Sequence, residues 1–123
     1  MFEQDYIMRL VKEMVRVILK LIFDIDTESP TSELLEGQAE KATLDRLLRL
    51  IDSGSINLAE NGLYELLEEE SGENLKIALL FYSYLNEKED AFLEEHNFSR
   101  KEVEEGLRTV ISQYGISGIG EMF

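Results

Sequence analysis

Few side chains in this sequence are equipped for covalent or acid–base chemistry. The chain has one histidine and no cysteine, against 26 carboxylates and five tyrosines. Nucleophilic catalysis needs a nucleophile held beside an orienting base. The single histidine, His96, stands next to Glu94 and Glu95 in a predicted cap between two helices, a place where histidine is expected to be solvated or capping. No GxSxG, HExxH or phosphate-cradling glycine loop occurs. The segments SGSIN and ISGIG contain glycine but lack the strand-then-helix setting of a phosphate site. No catalytic residue, metal ligand or cofactor is therefore assigned, and the chain reads as a non-enzyme.

Carboxylates are plentiful but badly spaced for a metal. Glu68, Glu69 and Glu70 are consecutive, so on a helix they splay around the axis instead of converging, and Glu102, Glu104 and Glu105 do the same. A di-metal bundle would need inward Glu-x-x-His pairs, and a calcium loop alternating Asp or Asn around a central glycine; neither is present. These runs read as solvated faces. The tyrosines leave two readings open. Tyr64, Tyr82 and Tyr84 are either core residues whose hydroxyls reach the surface or the aromatic anchors of a groove for a bound peptide.

What positions these residues is an all-helical scaffold, and its hub is Leu75–Leu85, LKIALLFYSYL. Nine of those eleven residues are apolar or aromatic. Lys76, Ser83 and the following Glu87 fall within roughly 40° of one another on a helix, and nearly every other direction is apolar. Such a helix must be enclosed by others.

The first predicted helix spans residues 1–23. Asp5, Arg9, Lys12, Glu13, Arg16 and Lys20 share one face, opposite Ile7, Val11, Met14, Ile18 and Ile22. Its apolar arc covers roughly 220°, more than one neighbouring helix can cover. Tyr6, Leu10, Met14, Val17 and Leu21 form a coiled-coil-like seam along it, the candidate face for self-association or a partner. Residues 24–37, marked by Pro30, a Ser/Thr cluster and Gly37, read as a linker. A helix is expected over 38–52 with Leu44, Leu47, Leu48 and Ile51 as its stripe, and another over 57–70 with Gly62 in its interior. An interior glycine costs roughly 1 kcal/mol relative to alanine, which a close helix crossing would offset. The short connection at Ser71–Gly72 makes this helix and the hub an antiparallel hairpin. Phe92 and Leu93 suggest a short capping turn. The last helix opens on Ser99 as N-cap, with Glu102 in the capping box and Phe98 and Val103 at the staple positions, and ends at Gly115. Residues 38–114 thus read as a helical core and 115–123 as a loosely held, flexible tail, all within one domain of about five helices packed as hairpins.

The formal net charge is −14. Of twelve basic and 26 acidic residues, four of each lie in residues 1–24, which leaves eight against twenty-two in the rest. Such a body repels phosphate backbones, so no nucleic acid is expected as a partner. The acidity serves solubility or attracts a basic protein. With no cysteine and no visible secretory segment, the expected location is cytoplasmic.

Several stretches together are similar to an uncharacterised family of short, acidic, helical bacterial proteins: the opening MFEQDYIMRLVKEM, then GSINLAENGLYELL, then FYSYLNEKEDAFLEEHNFSRKEVEEGL, with a close at Tyr114. The resemblance implies an architecture and no activity. The helix hairpins also resemble tetratricopeptide-type repeats, with Gly62, Ala78 and Tyr82 at small and aromatic packing positions. The spacing from Gly62 to Ala78 is longer than that pattern's, its proline is absent and no second copy follows, so the likeness is one of packing.

Three functional readings follow. One is a non-catalytic interaction module, a possible homodimer, that uses the seam of the first helix. A second is peripheral membrane attachment through residues 1–23, whose basic and apolar faces suit an interfacial helix but whose acidic body resists anionic lipid. A third, a small-ligand-binding or metal-dependent enzyme, rests on a groove lined with Tyr and Glu.

Overall fold

The structure, a computed structural model, describes residues 2–116. It is all-helical: α1 Phe2–Phe23, α2 Gln38–Asp52, α3 Ile56–Leu66, α4 Gly72–Asn86, α5 Asp90–Glu95 and α6 Arg100–Gln113, with a single 3-10 turn at Ser32–Leu34. No strand occurs among the described residues. Apart from Gly115 and Ile116, the tail expected at 115–123 lies outside them.

The hub expectation holds. Helix α4 buries ten of its fifteen residues, from Asn74 to Asn86, and packs against α1, α2 and α6. Each neighbour brings an apolar stripe at helical spacing. Ile7, Val11, Met14, Ile18 and Leu19 come from α1, Leu44, Leu47 and Ile51 from α2, and Val103, Leu107, Val110 and Ile111 from α6. Two neighbours, α4 and α6, cover most of the wide arc of α1 and leave Tyr6, Leu21 and Ile22 exposed.

Four local expectations change. Helix α3 ends at Leu66 and not at Glu70, because its last carbonyls are taken by side chains from elsewhere. Asn74 Nδ2 donates to Leu66 O at 3.2 Å and Glu69 O at 2.8 Å, and Gln113 Nε2 donates to Leu67 O at 2.7 Å. Captured carbonyls need no further helical turn. The closest backbone neighbour of α3 is α2 and not α4, and a Cβ on Gly62 would stand 3.1 Å from Leu47 Cδ2 on α2. The expected capping turn at Phe92–Leu93 is the helix α5. The 24–37 segment is no free linker, since Leu35 is buried and Ile25 and Leu34 pack on the core.

The last helix starts as its sequence signal dictates. Ser99 Oγ accepts from Glu102 N at 3.1 Å, and Phe98 and Val103 are both buried. The Glu102 carboxylate accepts from the Ser99 hydroxyl at 3.2 Å, so the box closes side chain to side chain. One residue on, Arg100 is only 4% exposed. Its guanidinium donates to Asn86 O at 2.5 Å, Lys88 O at 2.9 Å and Asp90 Oδ1 at 2.5 Å, tying the end of α4 and the start of α5 to α6.

Two glycines are required by close approach. A Cβ on Gly106 would stand 2.4 Å from the Tyr82 hydroxyl oxygen, and one on Gly54, whose φ is +88°, would stand 2.2 Å from the His96 ring. Gly106→Ala is expected to destabilise the fold by about 1–3 kcal/mol through overpacking, read as a lower urea midpoint at unchanged slope. Arg100→Ala, which leaves two carbonyls and the partly exposed Asp90 without their donor, is expected to cost about 1–3 kcal/mol in the same measurement.

Candidate functional site

The first helix carries the candidate face, and burial divides it. Met14 is fully buried inside the chain's own core, so this member of the seam is not presented to a partner. Leu10 and Val17 are half-buried, while Tyr6 and Leu21 are each 60% exposed. Tyr6, Leu10, Val17 and Leu21 lie within about 60° of one another around the helix, a strip beside the core face. Ile7, Val11 and Ile18, which an interfacial membrane helix would present to lipid, are buried. Among the described residues no helix is long and apolar enough to cross a membrane.

The three tyrosines do not line one groove. Tyr82 and Tyr84 are about 160° apart around α4, so they face opposite neighbours. Tyr82 is fully buried and donates to Glu60 Oε2 at 2.6 Å, and the Tyr64 and Tyr82 hydroxyl oxygens are 3.2 Å apart. Burial, then the charge of Glu60, pushes the Tyr82 hydroxyl far above the ordinary phenol range. Tyr84 instead donates to Asp52, at 2.7 Å and 2.9 Å to its two oxygens, and Lys88 Nζ donates to the same carboxylate at 2.6 Å while lying 4.9 Å from the Tyr84 ring centroid. Tyr82 is a core residue and Tyr84 ties α4 to the end of α2. Tyr64, 37% exposed, is the most open of the three, and Tyr84 is half-buried.

Glu60 is the carboxylate the sequence does not single out. Nothing in its spacing marks it, because Tyr82 reaches it across the bundle. Burial raises its pKa above the usual carboxylate range, the hydrogen bond from Tyr82 opposes this, and the nearby charge of Glu102 adds to the rise. By contrast, Asp52 is held below that range, chiefly by Lys88. His96 is structural: Nδ1 lies 2.8 Å from Phe92 O, and the ring tilts against Phe92 with centroids 4.5 Å apart. Among the described residues no three His, Asp or Glu side chains converge as a metal site would require.

A cleft of about 590 Å³ opens between α1, the 27–32 segment, α2 and α4. Its apolar side is Val15, Leu44, Leu48 and Leu80, and Lys12 and Arg16 of α1 stand on one wall. Ser83 and Glu87, two of the three residues of the hub's polar stripe, also line it. Their shared stripe is legible in the chain, whereas the cavity beside it forms between elements distant in sequence.

Residues 1–115 match the model of a family described as a family of unknown function (DUF6483). No curated protein and no solved structure matches the chain.

The raised pKa of Glu60 sets a pH dependence. The folded state holds this proton more tightly than the unfolded one, so the Glu60 contribution improves as pH falls from neutrality through the raised folded pKa towards the unfolded value near 4.5. Glu60→Gln is neutral at every pH. Its stability relative to the parent chain is expected to be greatest near pH 8 and to decline steadily towards pH 4.5, measured by urea unfolding of both proteins in matched buffers. Asp52 and Glu104, whose pKa values are lowered, lose stabilisation in acid equally in both proteins and cancel from the difference.

Proposed function

We propose that this chain, which belongs to the DUF6483 family, is a non-catalytic helical module that self-associates through α1. The observation that carries this reading is the exposure of Tyr6 and Leu21 at the two ends of one apolar strip, with half-buried Leu10 and Val17 between them. Large apolar side chains grouped on one stripe of a helix, beside a core that is already closed, suit a protein surface better than water.

The spacing of the strip favours a second copy as the partner. Tyr6, Leu10, Val17 and Leu21 are arranged symmetrically about the Glu13–Met14 peptide. Two such helices packed antiparallel across a two-fold axis set Tyr6 against the partner's Leu21 and Leu10 against the partner's Val17. A two-fold contact requires a patch complementary to itself, and the symmetric spacing of the strip supports such a contact. The flanking charges do not oppose it: Arg16 is paired to Glu13 within its own helix, and Lys20 to Asp24 at 2.9 Å.

The test is solution mass by light scattering, on the full chain and on Tyr6→Glu/Leu21→Glu. Both positions are mostly exposed, so helicity by circular dichroism should not change. A full-length dimer is expected, with its dissociation constant raised more than about 100-fold by the double substitution, since four apolar side chains per dimer, forming two contacts, are replaced by charges. A full-length chain that stays monomeric at high concentration, or a double variant that keeps the dimer mass, overturns the reading.

A further inference from the structure

The second feature of α1 is the cleft on its other flank, and its chemistry points to a ligand. At about 590 Å³ it falls within the range of small-molecule sites, roughly 300–1,000 Å³. Its apolar side is purely aliphatic, from Val15, Leu44, Leu48 and Leu80. The one aromatic on its edge, Tyr84, is already engaged with Asp52 and Lys88. The cleft therefore offers an alkyl chain a surface and offers no free ring for a base or an aromatic ligand to stack on.

The polar wall decides the head group. Four charged side chains line the cleft: Lys12, Arg16, Glu28 and Glu87. Lys12, Glu28 and Glu87 are exposed, and Arg16, 39% exposed at its side chain, is held in place by its pair with Glu13. Arg16 uses Nε and Nη2 on Glu13, and among the described residues its Nη1 has no hydrogen-bond partner. Lys12 Nζ likewise makes no ion pair or hydrogen bond among them. These two donors sit one turn apart on α1, on the same wall as Val15. They suit one carboxylate, while the exposed Glu28 and Glu87 and the net charge of −14 disfavour a polyanion.

We propose that this cleft binds a medium-chain aliphatic carboxylate, its alkyl body against Val15, Leu44, Leu48 and Leu80 and its head group on Arg16 and Lys12. This binding site does not depend on the self-association face, which lies on the other side of the helix.

The test is calorimetric titration of the full chain with decanoate well below micelle formation, alongside decyltrimethylammonium as the cation of equal chain length. Saturable binding of one decanoate per chain is expected, with the cation binding at least about tenfold more weakly. Arg16→Gln is expected to weaken decanoate about tenfold, the value of one charge-assisted hydrogen bond. Ser83→Phe, which projects a ring into the cleft from α4, is expected to abolish binding while circular dichroism stays unchanged. Because Arg16→Gln also frees Glu13, Lys12→Gln serves as a second variant at an exposed position, and it too should weaken decanoate. Absence of saturable decanoate binding, equal binding of the cation, or affinity untouched by both Arg16→Gln and Lys12→Gln overturns the proposal.

Discussion

Helix α4 can exist in water only if it is enclosed, and most of the architecture answers that need. Ile77, Ala78, Leu79, Phe81, Tyr82 and Leu85 are completely buried and spread over about 200° around the axis, an arc that Leu80, 4% exposed, widens to about 260°. Three helices, α1, α2 and α6, cover them. What remains is the narrow polar stripe of Lys76, Ser83 and Glu87, where a fourth helix would have to desolvate charge. The 24–37 segment runs there instead. Lys76 Nζ donates to Leu34 O at 3.4 Å and to Glu73 Oε1 at 3.1 Å, and it lies 5.0 Å from the Phe23 ring centroid. Further along the stripe the segment stands off from Ser83 and Glu87, and that separation is the cleft.

Enclosing α4 also strands backbone groups at its ends, and buried polar side chains resolve this. At the start Asn74 serves the carbonyls of the preceding turn, and the Tyr114 hydroxyl donates to Ser71 O at 2.9 Å. At the end Arg100 takes Asn86 O and Lys88 O, carbonyls that water would otherwise satisfy. A buried guanidinium is expensive to desolvate, and Asp90 offsets part of its charge. Among the described residues the arrangement leaves two buried atoms, Asn86 Oδ1 and Arg100 Nε, without hydrogen-bond partners. They mark where α1, α4 and α6 converge, since Asn86 Nδ2 also donates to Met8 O at 2.9 Å.

The first helix presents three distinct faces. Its core face meets α4 and α6. Its Tyr6–Leu21 strip lies on one flank, and Lys12, Val15 and Arg16 border the cleft on the other, about 150° away. Occupancy of one flank therefore does not obstruct the other. Both rest on the same 22-residue element, whose position is fixed by the buried residues between them.

Much of the fold was legible in the chain because helical periodicity is a local property. The hub, the stripes of α2 and α6, the Ser99 cap and the all-helical class follow from residues within one or two turns of each other. The end of α3 was not legible, because Asn74 and Gln113 capture its carbonyls from other elements. Nor was the meeting of Tyr82 with Tyr64 and Glu60 on α3, because it joins residues 18 and 22 apart in the chain. The candidate site divides in the same way. Sequence alone determined that α1 has more apolar surface than one neighbour covers, that the hub carries one polar stripe, and that no familiar catalytic motif is present. Tertiary structure alone decided that Met14 faces inward while Tyr6 and Leu21 face solvent, that Glu60 meets Tyr82, and that Lys12 and Arg16 look onto Leu44, Leu48 and Leu80. Periodicity defines which residues share a face of a helix. Which face meets a neighbour, and which is left open, depends on how the helices pack, and that packing joins residues far apart in the chain.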